Sequence, residues 1–163
     1  MRTLKTWLIF FCLSLPLFAD ASLPFKETRY IYAIDKTLIL EGFITFTEHN
    51  IIIEYLKPEP KVLTYFEEQL SIQDQNGYQM IDIQKNPMLS YFFMIIKAIH
   101  ENNTVLIDSF FEQHKEGNTL KLIPKDTVAN VLEDVQVVYQ KNALKSLHVK
   151  VKNGDRIGIE IME

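Results

Sequence analysis

The sequence predicts a mainly β protein of the α+β class: a half-open antiparallel β-barrel closed by a helical lid. Two observations carry this reading. Short β-branched and aromatic runs alternate apolar with polar residues, and the links between them are too short for crossover helices, so neighbouring strands pair as hairpins. One strongly apolar helical segment then interrupts the series, at Pro87 to Ile99.

The first strands are Phe25 to Tyr32, Leu38 to Thr47, Ile51 to Leu56, Lys61 to Phe66 and Leu70 to Asp74. Asn76-Gly77 then marks a tight hairpin turn into Tyr78 to Ile83, because this dipeptide tolerates the positive φ angles of a two-residue loop. Asn86 suits a helix N-cap and Pro87 suits the first helical position, where its missing N–H costs nothing. The helix is apolar almost all round, at Met88, Leu89, Tyr91, Phe92, Phe93, Met94, Ile95, Ile96 and Ile99, whereas a helix lying on a finished core needs only one apolar stripe. It is too short to span a bilayer. A short turn is expected near Asn103 to Ile107. Strands resume at Ser109 to Lys115, Thr119 to Ile123, Leu132 to Gln140, Leu144 to Lys152 and Asp155 to Met162, with turns at Glu116-Gly117-Asn118 and Asn153-Gly154.

Period-two alternation sorts these strands into two faces. Ile44 and Phe46, then Ile51, Ile53 and Tyr55, Leu120 and Leu122, Val135, Val137 and Tyr139, Leu147, Val149 and Val151, and Ile157, Ile159 and Ile161 share the apolar one. Lys121, Gln136, His148, Lys150, Lys152, Arg156 and Glu160 take the other. Strands this numerous in so short a chain can cover their own apolar face only by curling, and one main helix is little to fill the resulting concavity. An apolar ligand would fit there. Its expected lining is Ile44, Phe46, Ile51, Ile53, Tyr55, Leu122, Val137, Tyr139 and Val149 from the strands, with Met88, Leu89, Phe92, Phe93 and Ile96 from the helix.

Catalytic and cofactor patterns are missing. The histidines His49, His100, His114 and His148 lie far apart without ligand spacing, and no cysteine other than Cys12 occurs, so no metal site is expected. No glycine-rich phosphate loop or G-x-S-x-G elbow occurs among only five glycines. Glu67 and Glu68 are adjacent, so they read as turn or edge charges and not as a matched acid pair. The chain is expected to be no enzyme and to use no cofactor.

Residues 1–21 read as a cleaved secretory leader: Arg2 and Lys5, an uncharged run from Thr6 to Phe18, then the small-residue pattern Ala19-Asp20-Ala21. The mature protein, residues 22–163, is expected to be a single domain without disulfides. Of 17 basic and 21 acidic residues, the leader removes Arg2, Lys5 and Asp20, which leaves 15 and 20. Nucleic acid is therefore an unsuitable partner.

The order of elements resembles that of the LolA-type outer-membrane lipoprotein carriers. Phe25-Lys26-Glu27 stands where that family reads F-x-Q, Gly42-Phe43-Ile44 where it reads G-x-L, and Ile53 to Pro58 where an aromatic strand ends in proline. Leu120-Lys121-Leu122-Ile123-Pro124-Lys125 is similar to the F-x-L-x-P-K strand, and Gly154-Asp155 through Ile161 to the closing G-D-x-x-x-I-x-I. The resemblance implies a periplasmic carrier of a Gram-negative bacterium, binding lipoprotein acyl chains between an inner-membrane ABC transporter and an outer-membrane acceptor. Three departures stand out. Thr47-Glu48-His49-Asn50 replaces the arginine-proline pair whose arginine latches the family's lid, only Ser22, Leu23 and Pro24 precede Phe25 where the family has a helix, and the strand tryptophan is absent. Two alternatives remain: a similar binder of another lipid or glycolipid serving an exporter, and a secreted non-enzymatic β-domain for adhesion or assembly.

Overall fold

A computed structural model describes residues 22–163; the leader expected at residues 1–21 lies outside the described residues. Eleven strands form one antiparallel sheet: β1 (Ser22–Ile31), β2 (Lys36–Phe46), β3 (Ile51–Lys57), β4 (Lys61–Phe66), β5 (Gln69–Asp74), β6 (Gly77–Asp82), β7 (Phe111–Glu116), β8 (Thr119–Pro124), β9 (Leu132–Gln140), β10 (Ala143–Val151) and β11 (Arg156–Ile161). Two helices, α1 (Pro87–His100) and α2 (Thr104–Phe110), fall between β6 and β7. The spatial order is β6-β5-β4-β3-β2-β1-β11-β10-β9-β8-β7. Both arms are thus simple meanders, joined where β1 pairs with β11, and the sheet does not close.

The two open edges differ in chemistry. On β7, Glu112, Lys115 and Glu116 place charges along the edge, a pattern that discourages pairing with another chain. On β6, Gly77-Tyr78-Gln79-Met80-Ile81 is uncharged up to Asp82, and Tyr78 is 65% exposed.

The mainly β class and the helix start are as the sequence indicates. Asn86 caps α1, its side-chain oxygen accepting from the Leu89 N–H, and Pro87 opens the helix. Several boundaries shift by one or two residues, and three differ in kind. Strand β1 begins at Ser22, so Leu23 and Pro24 are already in the sheet, paired with Ile44 and Phe43. The short turn near Asn103 is the seven-residue helix α2, capped by Asn103. Ser109 and Phe110, expected in a strand, end that helix, and β7 starts at Phe111. Glu67 and Glu68 form the two-residue β4–β5 turn with φ of 46° and 62°, an unfavourable conformation for glutamate that the hairpin geometry imposes.

Register confirms the two faces. Ile44 pairs with Ile53, Phe46 with Ile51, Leu120 and Leu147 with Val137, Leu122 and Val149 with Val135, and Ile157 with Val149. These residues form one apolar cluster with the helices, in which Phe93, Ile95, Ile96, Ala98 and Ile99 of α1 and Ile107 of α2 are buried. Lys121, His148, Lys150, Lys152, Arg156 and Glu160 are exposed on the opposite face, and Gln136 is half-buried there.

Candidate ligand-binding face

All fourteen side chains expected to line the apolar face belong to the one cluster. Ile44, Ile51, Ile53, Tyr55, Leu122, Val137 and Val149 from the strands and Phe92, Phe93 and Ile96 from α1 are buried; Phe46, Tyr139, Met88 and Leu89 are half-buried against them. Helix α1 meets the strands through rings. Phe93 lies parallel to Tyr65 of β4 with centroids 4.8 Å apart, and Phe92 meets Phe93 edge-on at 5.5 Å. At the other end of the helix, the His100 ring stacks on Phe46 of β2 at 3.9 Å. Among the described residues, no side-chain hydrogen bond or ion pair joins α1 to a strand; Lys97 pairs only with Glu101. The cover is held by apolar and aromatic contact.

Met88, Leu89, Tyr91 and Met94 are half-buried against the cluster, with Tyr91 tilted against Phe110 of α2 at 6.5 Å. Beside the Phe46–His100 stack, the β2–β3 turn is held by Thr47, whose hydroxyl oxygen accepts from the Asn50 N–H at 2.9 Å. His49 and Glu48 there are exposed and form no bridge to α1. At the opposite arm, a groove of about 600 Å³ opens between the α1–α2 turn and the β7–β8 and β9–β10 hairpins, with Leu120 and Tyr139 of the apolar face in its wall.

Sequence reading missed a polar group set into this face. Phe25, Glu27 and Arg29 alternate inward on β1, opposite Ile161, Ile159 and Ile157 of β11. Glu27 is 0% exposed. Its Oε2 accepts from the Tyr55 hydroxyl at 2.6 Å, and its Oε1 accepts from Arg29 Nε at 2.8 Å and pairs with the Nη2 end of the same guanidinium. Tyr55 can reach across because of Gly42. Tyr55 is opposite Gly42, and Gly42 opposite Phe25, so the missing side chain on β2 leaves room for the tyrosine to cross it and meet the Phe25 ring edge-on at 5.6 Å. A Cβ at Gly42 would lie 1.9 Å from the Glu54 carbonyl oxygen, where a bulge tightens the β2–β3 ladder.

The electrostatics follow from this burial. Desolvation, the neighbouring Glu27 charge and the hydrogen bond to it all push the Tyr55 phenol well above its ordinary range, against the opposing pull of Arg29. Burial lowers Arg29, but the Glu27 carboxylate and Tyr55 together outweigh it and hold the guanidinium above its ordinary value. No buried side-chain nitrogen or oxygen among the described residues lacks a partner. The signal that could have located the group was the strict alternation of Phe25, Glu27 and Arg29 next to Ile157, Ile159 and Ile161.

Among the described residues, no group of three histidine, cysteine or acidic side chains is arranged to hold a metal ion, and no helix is long and apolar enough to cross a membrane. No protein-family model matches the chain, and no curated protein matches it.

Proposed function

We propose that this chain is a non-enzymatic periplasmic carrier that binds acyl chains of lipoproteins against the apolar face of a half-open barrel, with α1 as its movable lid, and ferries them from the inner to the outer membrane. The observation that carries this reading is the nature of the α1–sheet contact. Helix and strands are joined by rings and aliphatic groups alone. Lifting or sliding the helix therefore breaks no side-chain hydrogen bond and strands no buried charge. An acyl chain taking its place restores apolar contact, and at about 0.8 kcal/mol per buried CH₂ a chain of about a dozen methylenes recovers roughly 10 kcal/mol. Half-buried Met88 and Met94 add side chains able to adapt to variable chains. The donor transporter and outer-membrane acceptor of such a cycle follow from the resemblance to LolA-type carriers, as does the periplasmic location.

Titration with an environment-sensitive fluorescent fatty acid tests the proposal. Saturable uptake of about one probe per chain is expected. Phe92→Ala is expected to weaken uptake more than it lowers the melting temperature. A chain that takes up no probe, and in which Phe92→Ala costs the roughly 3–5 kcal/mol of a core phenylalanine, would contradict it. That second result describes a secreted β-domain with a permanent core, a reading favoured by the depth at which Phe93, Ile95 and Ile96 are buried.

A further inference from the structure

Resting on the carrier reading, we propose that Arg29, clamped by Glu27, is the head-group anchor of this face and selects acyl ligands that carry an oxygen acceptor, a carboxylate or an ester carbonyl, at the end of the chain. The argument starts from what the fold does not need. A charged pair set into an apolar wall is no better for stability than apolar residues of similar size, because desolvation offsets the attraction. Here the carboxylate is wholly buried and its two oxygens are taken by Tyr55 and Arg29, so Glu27 has nothing left to offer a ligand. Arg29 is different. Its side chain is 39% exposed; Nε and the Nη2 end face Glu27, with the Tyr55 hydroxyl beside them, which leaves the Nη1 end of the guanidinium outside these contacts. It stands on the apolar side of β1, between Leu38 of β2 and Ile157 of β11, with no other charged side chain bridged to it. A guanidinium fixed by its carboxylate partner is a pre-oriented donor, and a donor calls for an acceptor. The acyl chain would lie along the apolar side chains, and its carbonyl or carboxylate oxygen would meet the free edge of Arg29.

The test is competition against the bound fluorescent fatty acid by three ligands of one chain length: dodecanoic acid, its methyl ester and dodecylamine. Wild-type protein is expected to prefer the acid, or the acid and ester alike, over the amine by about tenfold or more, the worth of one charge-assisted hydrogen bond. Acid far above ester identifies a free carboxylate as the natural head group, and acid equal to ester identifies an acyl ester. Arg29→Met alone strands a buried carboxylate, so the informative variant combines it with Glu27→Gln, which keeps an acceptor for Tyr55. In that double variant amine binding should be unchanged and the preference for the acid or ester lost. Equal binding of all three ligands by wild type, or a preference that survives in the double variant, would overturn the anchor while leaving the carrier reading intact. Failure of wild type to bind the probe at all overturns both.

Discussion

Two parts of one apolar face are held together in opposite ways. Under α1, Tyr65, Phe93, Phe46 and His100 make ring stacks without a single helix-to-strand hydrogen bond. On β1, the Glu27–Arg29–Tyr55 group is a closed polar network in which every buried atom has its partner. Ring contacts carry no charge and leave no buried polar group unpaired when broken, so an incoming apolar chain can replace them. A buried carboxylate can exchange its partners only at the cost of leaving a charge unpaired. On the carrier reading proposed above, the helix is the part that moves and the centre of the sheet, where β1 joins the two arms, is the part that stays fixed.

The largest expected effect breaks the fixed part. Arg29→Met should lower unfolding free energy by roughly 3–5 kcal/mol in urea titrations, because Glu27 is left buried without its cation, and adding Glu27→Gln should restore most of the loss. A loss below about 1 kcal/mol would mean that the pair is already solvated. Next in size is Tyr55→Phe, which removes the donor to Glu27 and should cost about 1–3 kcal/mol near neutral pH. Its pH dependence has a definite sign. The Tyr55 phenol is raised in the folded state, chiefly by burial, so its contribution is complete below the ordinary tyrosine value near 10 and is lost as pH rises above it. Wild-type unfolding free energy should therefore fall more steeply above pH 10 than that of Tyr55→Phe, by up to about 1.4 kcal/mol per pH unit. Tyr65 and Tyr139, also raised by burial, contribute equally to both proteins and cancel in the comparison. The smallest effect lies at the movable part: His100→Ala should cost only about 0.5–1.5 kcal/mol, the worth of one ring pair, yet should speed release of a bound acyl probe in stopped-flow exchange. Unchanged release would remove the Phe46 stack from any role in retaining the helix.

Which of these features can be read from the chain follows from their physics. Period-two alternation is dictated by the pleat, so Ile44, Ile53, Val135, Val149 and Ile159 declare their face without coordinates. The cap and proline at Asn86-Pro87 likewise mark α1 locally. The end of α2 is not local in this way: Ser109-Phe110-Phe111 suits helix and strand equally, and packing of Ile107 and Phe111 into the cluster decides the boundary. Glu27 and Arg29 were hidden for a different reason. Charged residues in a strand ordinarily mark the wet side, and only the pairing with Ile159 and Ile157, together with the gap at Gly42 that admits Tyr55, turns them inward. Ring stacks such as Phe46–His100 join residues more than fifty positions apart, and no local pattern announces them.

The most direct test of the proposed movable cover is mass spectrometry of organic extracts from the protein, expressed as the full chain and purified without detergent. The expected result is about one acyl-bearing molecule per chain, displaced stoichiometrically by added fatty acid. A protein that emerges free of lipid and also leaves a fluorescent acyl probe unbound would contradict the carrier account and leave α1 as an ordinary core helix.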